Sequence, residues 1–379
     1  MTISRAAAAL TIVALTAGIA PAAGAQQPSD PAAVSAAAQA KADSVRARRD
    51  EIIRRREALR QRQDELRRRR QAARRGPMAS EFFTWVGKIG RQGTLDLVNA
   101  SGSVTITSGG GDDVRIEATK RVWESTDAAA KAALSEVRID VTERADAVDV
   151  RAGFPRRNQL DAEVDFTITV PSGANVSVRS GSGDVSVTGV RGELRAEAVS
   201  GAITATSVGQ VRSLRTLSGT VQLENADSSD ITVSTLGGAV TIRQLRTRSA
   251  DLRTIGGDLS VSDSDAERLS AQSLTGRIEL AGRLARTGRY SLQSQSGDVR
   301  LSLSDDDFEL EAATVNGTVR SEFPITAGDR RETAAGPGRV GRGGRGGRGG
   351  ALLLRGLSGD GGPLVTLRSF SGDISIARR

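Results

Sequence analysis

The sequence predicts an all-β protein, a parallel β-solenoid (β-helix) of about ten coils preceded by a long basic α-helix, and two observations carry the solenoid. The first is a recurring glycine, at Gly102, Gly183, Gly201, Gly219, Gly238, Gly257, Gly276, Gly297, Gly317 and Gly372. Two residues after each stands an aliphatic: Val104, Val185, Ile203, Val221, Val240, Leu259, Ile278, Val299, Val319 and Ile374. Four after stands another, with Ala205 and Ser321 as the exceptions, and the residue between is always polar. Period-two alternation of this kind describes a strand with one buried face. Five residues before each glycine lies another apolar column, running from Leu97 through Leu214 to Leu367, and two before it a third, mostly Val, Leu or Ile. The pattern therefore predicts a second strand ahead of each glycine, with all of these columns inside.

The second observation is spacing. From Gly183 to Gly317 successive glycines are 18 to 21 residues apart. That is too short for a strand-helix-strand unit of about 30 residues but sufficient for one coil of parallel strand. Coils stacked about 4.8 Å apart would align the apolar columns into internal ladders. The glycine then marks a corner that needs either φ > 0 or close backbone approach.

The elements follow in chain order. Residues 1–25 read as an export signal: Arg5, an apolar run from Ala6 to Ala20, and Ala23-Gly24-Ala25 as a small-residue cleavage site. A retained anchor is the less favoured reading, because proline and small residues follow the run, and no other segment is long enough to span a bilayer. Residues 26–40, rich in Pro, Ala, Ser and Gln, read as a flexible leader. Residues 41–76 form an Arg-rich arm stopped by Gly76 and Pro77, with Val45, Ile52, Leu59, Leu66 and Ala73 recurring every seven residues. The second seam column of a coiled coil is missing, so the expected helix has one narrow apolar stripe. Three roles stay open for it: attachment to an anionic surface, weak self-association, or a solvated spacer.

The solenoid domain is expected over residues 81–379, its first coil beginning near Glu81. An insertion at 107–176 carries alternating strands and a short helix from about Thr126 to Glu136, and is expected to cap the open parallel edge. A second insertion, 324–362, holds the basic Gly-rich loop Gly338 to Gly350, which includes Arg342, Arg345 and Arg348. Such composition does not order itself. The loop is read either as a polyanion-binding tract or as a low-complexity expansion with no partner.

Net charge is +8, but residues 41–75 alone carry 15 basic and 6 acidic side chains, so the rest of the chain is close to neutral. The candidate binding residues for anionic lipid, lipopolysaccharide or surface polysaccharide are therefore Arg54, Arg55, Arg56, Arg67, Arg68, Arg69 and Arg70 of the arm, with Arg342, Arg345 and Arg348 of the loop. No specific nucleic acid is expected. Arg outnumbers Lys 49 to 4, a bias that genomic composition explains as well as function does.

The chain has no histidine and no cysteine. That excludes Ser-His-Asp and Cys-His nucleophiles, the common zinc sites and disulfides. Carboxylates remain. Asp184, Asp258, Asp298 and Asp373 each follow a corner glycine and read as turn residues rather than an acid ladder. Asp305, Asp306 and Asp307 form the densest acidic cluster, and a solvated turn is preferred there over a calcium site. No cofactor or metal is expected.

Three segments, LDLVNASGSVTIT at 95–107, VDFTITVPSGANVSVRSGSGDVSVTGVRGEL at 164–194, and the SG-x-[VI] turns through Ser371-Gly372-Asp373-Ile374, resemble the DUF4097 family of bacterial envelope β-solenoids. The resemblance covers about 81–379 and implies an adhesin-like role, with some relatives tied to envelope-stress systems. It offers no catalytic residues to carry over. The expectation is an exported, non-catalytic envelope-associated binding module, located in the periplasm or on the cell surface. The alternatives are an envelope-stress or signalling protein docking a membrane partner and, less favoured, a glycan-processing β-helix enzyme using carboxylates on one exterior face.

Overall fold

The computed structural model describes residues 77–154, 161–304, 307–326 and 352–379. The expected signal peptide, leader and arm, with Arg54–Arg56 and Arg67–Arg70, lie outside the described residues. So do the loop with Arg342, Arg345 and Arg348, and the acidic pair Asp305 and Asp306.

The alternation becomes two stacked parallel ladders. Strands ahead of the glycines form one, in the spatial order Ala147–Gly153, Thr94–Ser101, Asn175–Ser182, Leu194–Ser200 and Val211–Ser218. It continues through the second halves of Val221–Thr235 and Val240–Thr254, then Asp265–Ser273, Arg289–Ser294, Leu364–Ser369 and Phe308–Thr314. Strands after the glycines form the other, from Asp161–Pro171 and Val104–Gly109 to Ile374–Arg378 and Val319–Ser321. The strands Val221–Thr235 and Val240–Thr254 each run unbroken from one ladder into the other.

Two expectations about the coils are corrected. The stack contains a rung without a corner glycine of the series: Ala147–Gly153 and Asp161–Pro171, inside the expected cap, pair in parallel beneath the Gly102 coil. Spatial order also departs from chain order. The Gly372 coil, last in sequence, lies between the Gly297 and Gly317 coils. Every coil presents the same apolar pattern, so any two can stack, and the pattern leaves their order undetermined.

Antiparallel strands close the stack. Arg138–Arg144 covers one ladder at the first pole, while Asp113–Trp123 and then Met78–Lys88 extend the other. Residues 78–88 are thus an outer strand rather than the start of the first coil. At the second pole Leu352–Ser358 pairs antiparallel with Phe308–Thr314. The one helix among the described residues, Asp127–Glu136, lies where the sequence places it, and its N-terminus is capped by Thr126, whose Oγ1 accepts the Ala129 N–H at 3.2 Å. Its Ala130 and Leu134 are buried in the cap.

The interior between the ladders is continuous. The column five residues before the glycines is buried from Leu97 to Leu367, as are the columns two and four after, except Val319 and Ser321 of the Gly317 coil, which are half-buried. A further ladder, Ile231, Ala250, Leu269, Tyr290, Val365 and Leu310, stacks in register beside them.

Candidate interaction surface

The corner glycines set the geometry of the exterior. At Gly102, Gly183 and Gly201 φ is +115°, +122° and +142°, a region that disfavours side chains. The later ones are required by proximity instead: a Cβ on Gly219, Gly238, Gly257 or Gly276 would stand 1.8–1.9 Å from the carbonyl oxygen of the preceding corner glycine. Three residues before the glycine, a buried hydroxyl donates to that same carbonyl. Thr216 reaches Gly201 at 3.2 Å, Thr235 reaches Gly219 at 3.2 Å and Ser294 reaches Gly276 at 3.0 Å; Thr254, Ser273, Ser369 and Thr314 repeat the contact. This Ser/Thr column was readable from the sequence but is absent from the predicted pattern, which followed apolar residues only.

The aspartates after the glycines act as rung connectors. Asp184, Asp258 and Asp298 accept the backbone N–H of Ala202, Arg277 and Asp373 in the next coil, at 2.8, 2.8 and 3.0 Å. Asp373 Oδ1 accepts from Thr318 N at 2.7 Å and Thr318 Oγ1 at 2.9 Å, and these bonds hold its carboxyl below the usual carboxylate range. Asp307 accepts the Asp360 N–H at 3.0 Å. These carboxylates are committed to turns, and among the described residues no group of His, Cys, Asp or Glu is arranged to hold a metal ion.

The largest departure concerns the third apolar column, two residues before each glycine, which lies outside rather than in the core. Val199, Leu217, Leu236, Ile255, Leu274, Phe370 and Val315 are exposed to between 37 and 54%. Parity is the reason. The column at minus five points inward, and a residue three places later on the same strand must face the other way. The result is a single-file apolar stripe along the outside of the stack, interrupted by Gln295 in the Gly297 coil. On its strand side run Arg179, Arg215, Arg253 and Arg368, with Glu197 the acidic member of that column. On its corner side run Asp184, Asp258, Asp298 and Asp373, with Arg277 among them.

A second corner, opposite the glycine corner, has no glycine signature. Ser207, Asn225, Gln244 and Asp263 adopt φ of 52–54°, stacked between Gly189 and Gly282, which also have positive φ. Asn225 Nδ2 donates to Ser207 Oγ at 3.1 Å. The shallow cleft beside this corner has a volume of about 710 Å³ and is lined by polar groups including Arg191, Asn225, Asp227, Gln244 and Arg246. At its end Asp263 pairs with the Arg379 guanidinium, which lowers the aspartate's pKa. No aromatic side chain lines the cleft, and the corner is held by backbone geometry and rung-to-rung bonds.

The chain matches the Toastrack DUF4097 family over residues 93–336. No curated protein matches it. Among solved structures it is similar to a cell-adhesion candidate from Clostridium sporogenes at 8% identity, covering 79% of this chain and 100% of that one, with a TM-score of 0.29. An adhesin candidate from Bacteroides fragilis has 14% identity, coverage of 79% and 97%, and a TM-score of 0.35. A lipid-binding candidate from Parabacteroides distasonis has 8% identity, coverage of 79% and 97%, and a TM-score of 0.36.

Proposed function

The chain belongs to the Toastrack DUF4097 family, and from that premise we propose that it is an exported, non-catalytic, adhesin-like binding module of the cell envelope, attached to anionic envelope material through its Arg-rich arm. The observation that carries the reading is the construction of the exterior. Its outward columns of Ser, Thr, Arg and Asp repeat from coil to coil, the aspartates after its corner glycines accept rung-to-rung bonds, and its clefts are shallow and polar. Such a surface binds through many distributed contacts rather than by enclosing a reacting group. No helix among the described residues is long and apolar enough to cross a membrane.

The arm's chemistry fits that task. Each Arg near an anionic lipid surface contributes roughly 1 kcal/mol, so a few engaged residues give salt-sensitive binding. The test is co-sedimentation of the mature chain with anionic and neutral vesicles and with lipopolysaccharide across a salt series. It is repeated with Arg54, Arg55, Arg56, Arg67, Arg68, Arg69 and Arg70 replaced by Gln. Expected is binding to anionic vesicles or lipopolysaccharide that falls with salt and is lost in the Gln variant. Equal binding by both proteins would exclude the arm as the attachment, and no binding by either would leave it a spacer.

A further inference from the structure

We propose that the exposed apolar stripe is a homodimer interface, in which a second copy of this chain packs its own stripe against the first with the two solenoid axes parallel. The stripe is the column Val199, Leu217, Leu236, Ile255, Leu274, Gln295, Phe370 and Val315, one residue per coil in this spatial order, with all but Gln295 among the exposed large hydrophobics. It is not a scatter of surface leucines. Stacking in register makes it a continuous ridge whose spacing is the rung repeat, so a second copy carries a ridge of identical pitch.

Area and charge both fit this occupant. With about half of each side chain exposed, the seven apolar residues offer on the order of 500 Å² per copy and about 1,000 Å² over two, near the lower limit of a specific interface before flanking residues are counted. The flanks then choose the orientation. Arg179, Arg253 and Arg368 lie on the strand side of the ridge, and Asp184, Asp258 and Asp373 lie on the corner side of the same three coils. A two-fold axis along the ridge carries the strand side of one copy over the corner side of the other at the same level. Arg253 then faces Asp258 of the second copy, Arg179 faces its Asp184 and Arg368 faces its Asp373. A two-fold axis across the ridge would instead place Arg columns over Arg columns. Within one chain Arg253 pairs with Asp251 and Arg368 with Glu311, so these charges steer orientation while the apolar ridge supplies the affinity.

A membrane is the competing occupant, and the flanks argue against it. The Asp column along one side of the ridge would be carried onto an anionic surface together with the aliphatics, whereas in the parallel dimer it meets Arg. This inference does not rest on envelope attachment, and either can fail alone.

The parallel arrangement makes a distinctive prediction, because each ridge residue meets its own counterpart along the whole length of the axis. The chain has no cysteine, so single-cysteine variants report this directly. Mature protein is examined by sedimentation velocity over a concentration series, together with Leu236→Asp/Ile255→Asp, and with Val199→Cys, Phe370→Cys and Arg300→Cys under mild oxidation. Arg300 is exposed on the other ladder. Expected is a concentration-dependent dimer whose dissociation constant rises about 100-fold or more in the double Asp variant with an unchanged circular dichroism spectrum. Covalent dimer should form from both Val199→Cys and Phe370→Cys, but not from Arg300→Cys. A monomer at all concentrations, or a dimer indifferent to the Asp substitutions, overturns the interface. Cross-linking at neither end, or equal cross-linking at Arg300→Cys, overturns the parallel packing. Loss of neutral-vesicle binding in the Asp variant of a monomeric protein would assign the ridge to lipid instead.

Discussion

Gly237 and Gly238 are adjacent, yet the structure assigns them opposite tolerances, and substituting each by alanine tests why the corner column is glycine. At Gly238 a Cβ would stand 1.8 Å from the Gly219 carbonyl oxygen and 2.5 Å from its carbon, both backbone atoms of the coil below. Restoring van der Waals contact requires the two rungs to part locally by about 1.5 Å. Three bonds cross that gap: Val221 N–H to Ala239 O at 2.9 Å, Gly237 N–H to Leu217 O at 3.0 Å, and Thr235 Oγ1–H to Gly219 O at 3.2 Å. At about 1 kcal/mol net for each, their loss costs about 3 kcal/mol, comparable to the 1–3 kcal/mol typical of overpacking. At Gly237 the nearest atom is Leu217 O at 3.8 Å, an ordinary contact. Gly237→Ala should therefore be neutral, or stabilising by a few tenths of a kcal/mol through the unfolded chain. Urea unfolding followed by far-ultraviolet circular dichroism, with the slopes compared, measures both. Gly238→Ala within about 0.5 kcal/mol of Gly237→Ala would refute the close-approach argument for the seven corner glycines without positive φ.

Two further outcomes follow from single groups. The buried Tyr290 hydroxyl donates to Ala266 O at 2.6 Å and accepts from Ala285 N–H at 2.8 Å, so Tyr290→Phe should cost about 2 kcal/mol in urea unfolding; its phenol, pushed up by burial, should titrate in the wild type only above the ordinary tyrosine range. Asp373, held low by its bonds from Thr318, contributes stability that is present above the unfolded carboxylate pKa and is lost as pH falls through the folded one. The gap in thermal midpoint between wild type and Asp373→Ala should accordingly close at acid pH, and a gap of constant size down to pH of about 2 would contradict it.

What the sequence made legible was whatever repeats along one strand. The columns two and four after each glycine, the column five before, and the short helix from about Thr126 are local patterns, and each corresponds to a local structure. The column at minus two was assigned to the core on apolar character alone, although strand parity with the column at minus five places it outside, where it becomes the ridge. The second corner carried no such pattern: Ser207 and Gln244 take positive φ there as Gly189 and Gly282 do, so no residue type marks it. Its conformation is imposed by stacking on the coil below, a tertiary constraint. Rung order was illegible for a related reason. Gly317 and Gly372 sit in near-identical surroundings, and only pairing distinguishes which follows Gly297.

That pairing has a consequence for how the solenoid ends. In a simple solenoid the first and last coils are the weakest, since each has a single neighbour. Here the first glycine coil is held between the 147–171 rung and the Gly183 coil, and the last between the Gly297 and Gly317 coils, so both are interior. The final residue is tied as well: Arg379 N–H donates to Leu303 O at 2.8 Å while its guanidinium pairs with Asp263. At the first pole the outermost positions fall to antiparallel strands, Met78–Lys88 and Arg138–Arg144; at the second, Leu352–Ser358 covers one ladder while the parallel strand Val319–Ser321 ends the other among the described residues. The Thr326 bridge to Leu357 and the strand that begins at Leu352 both lie at the second of these poles. The apolar ridge runs along the coils between these poles, where its charge pattern and pitch are set by the repeat alone.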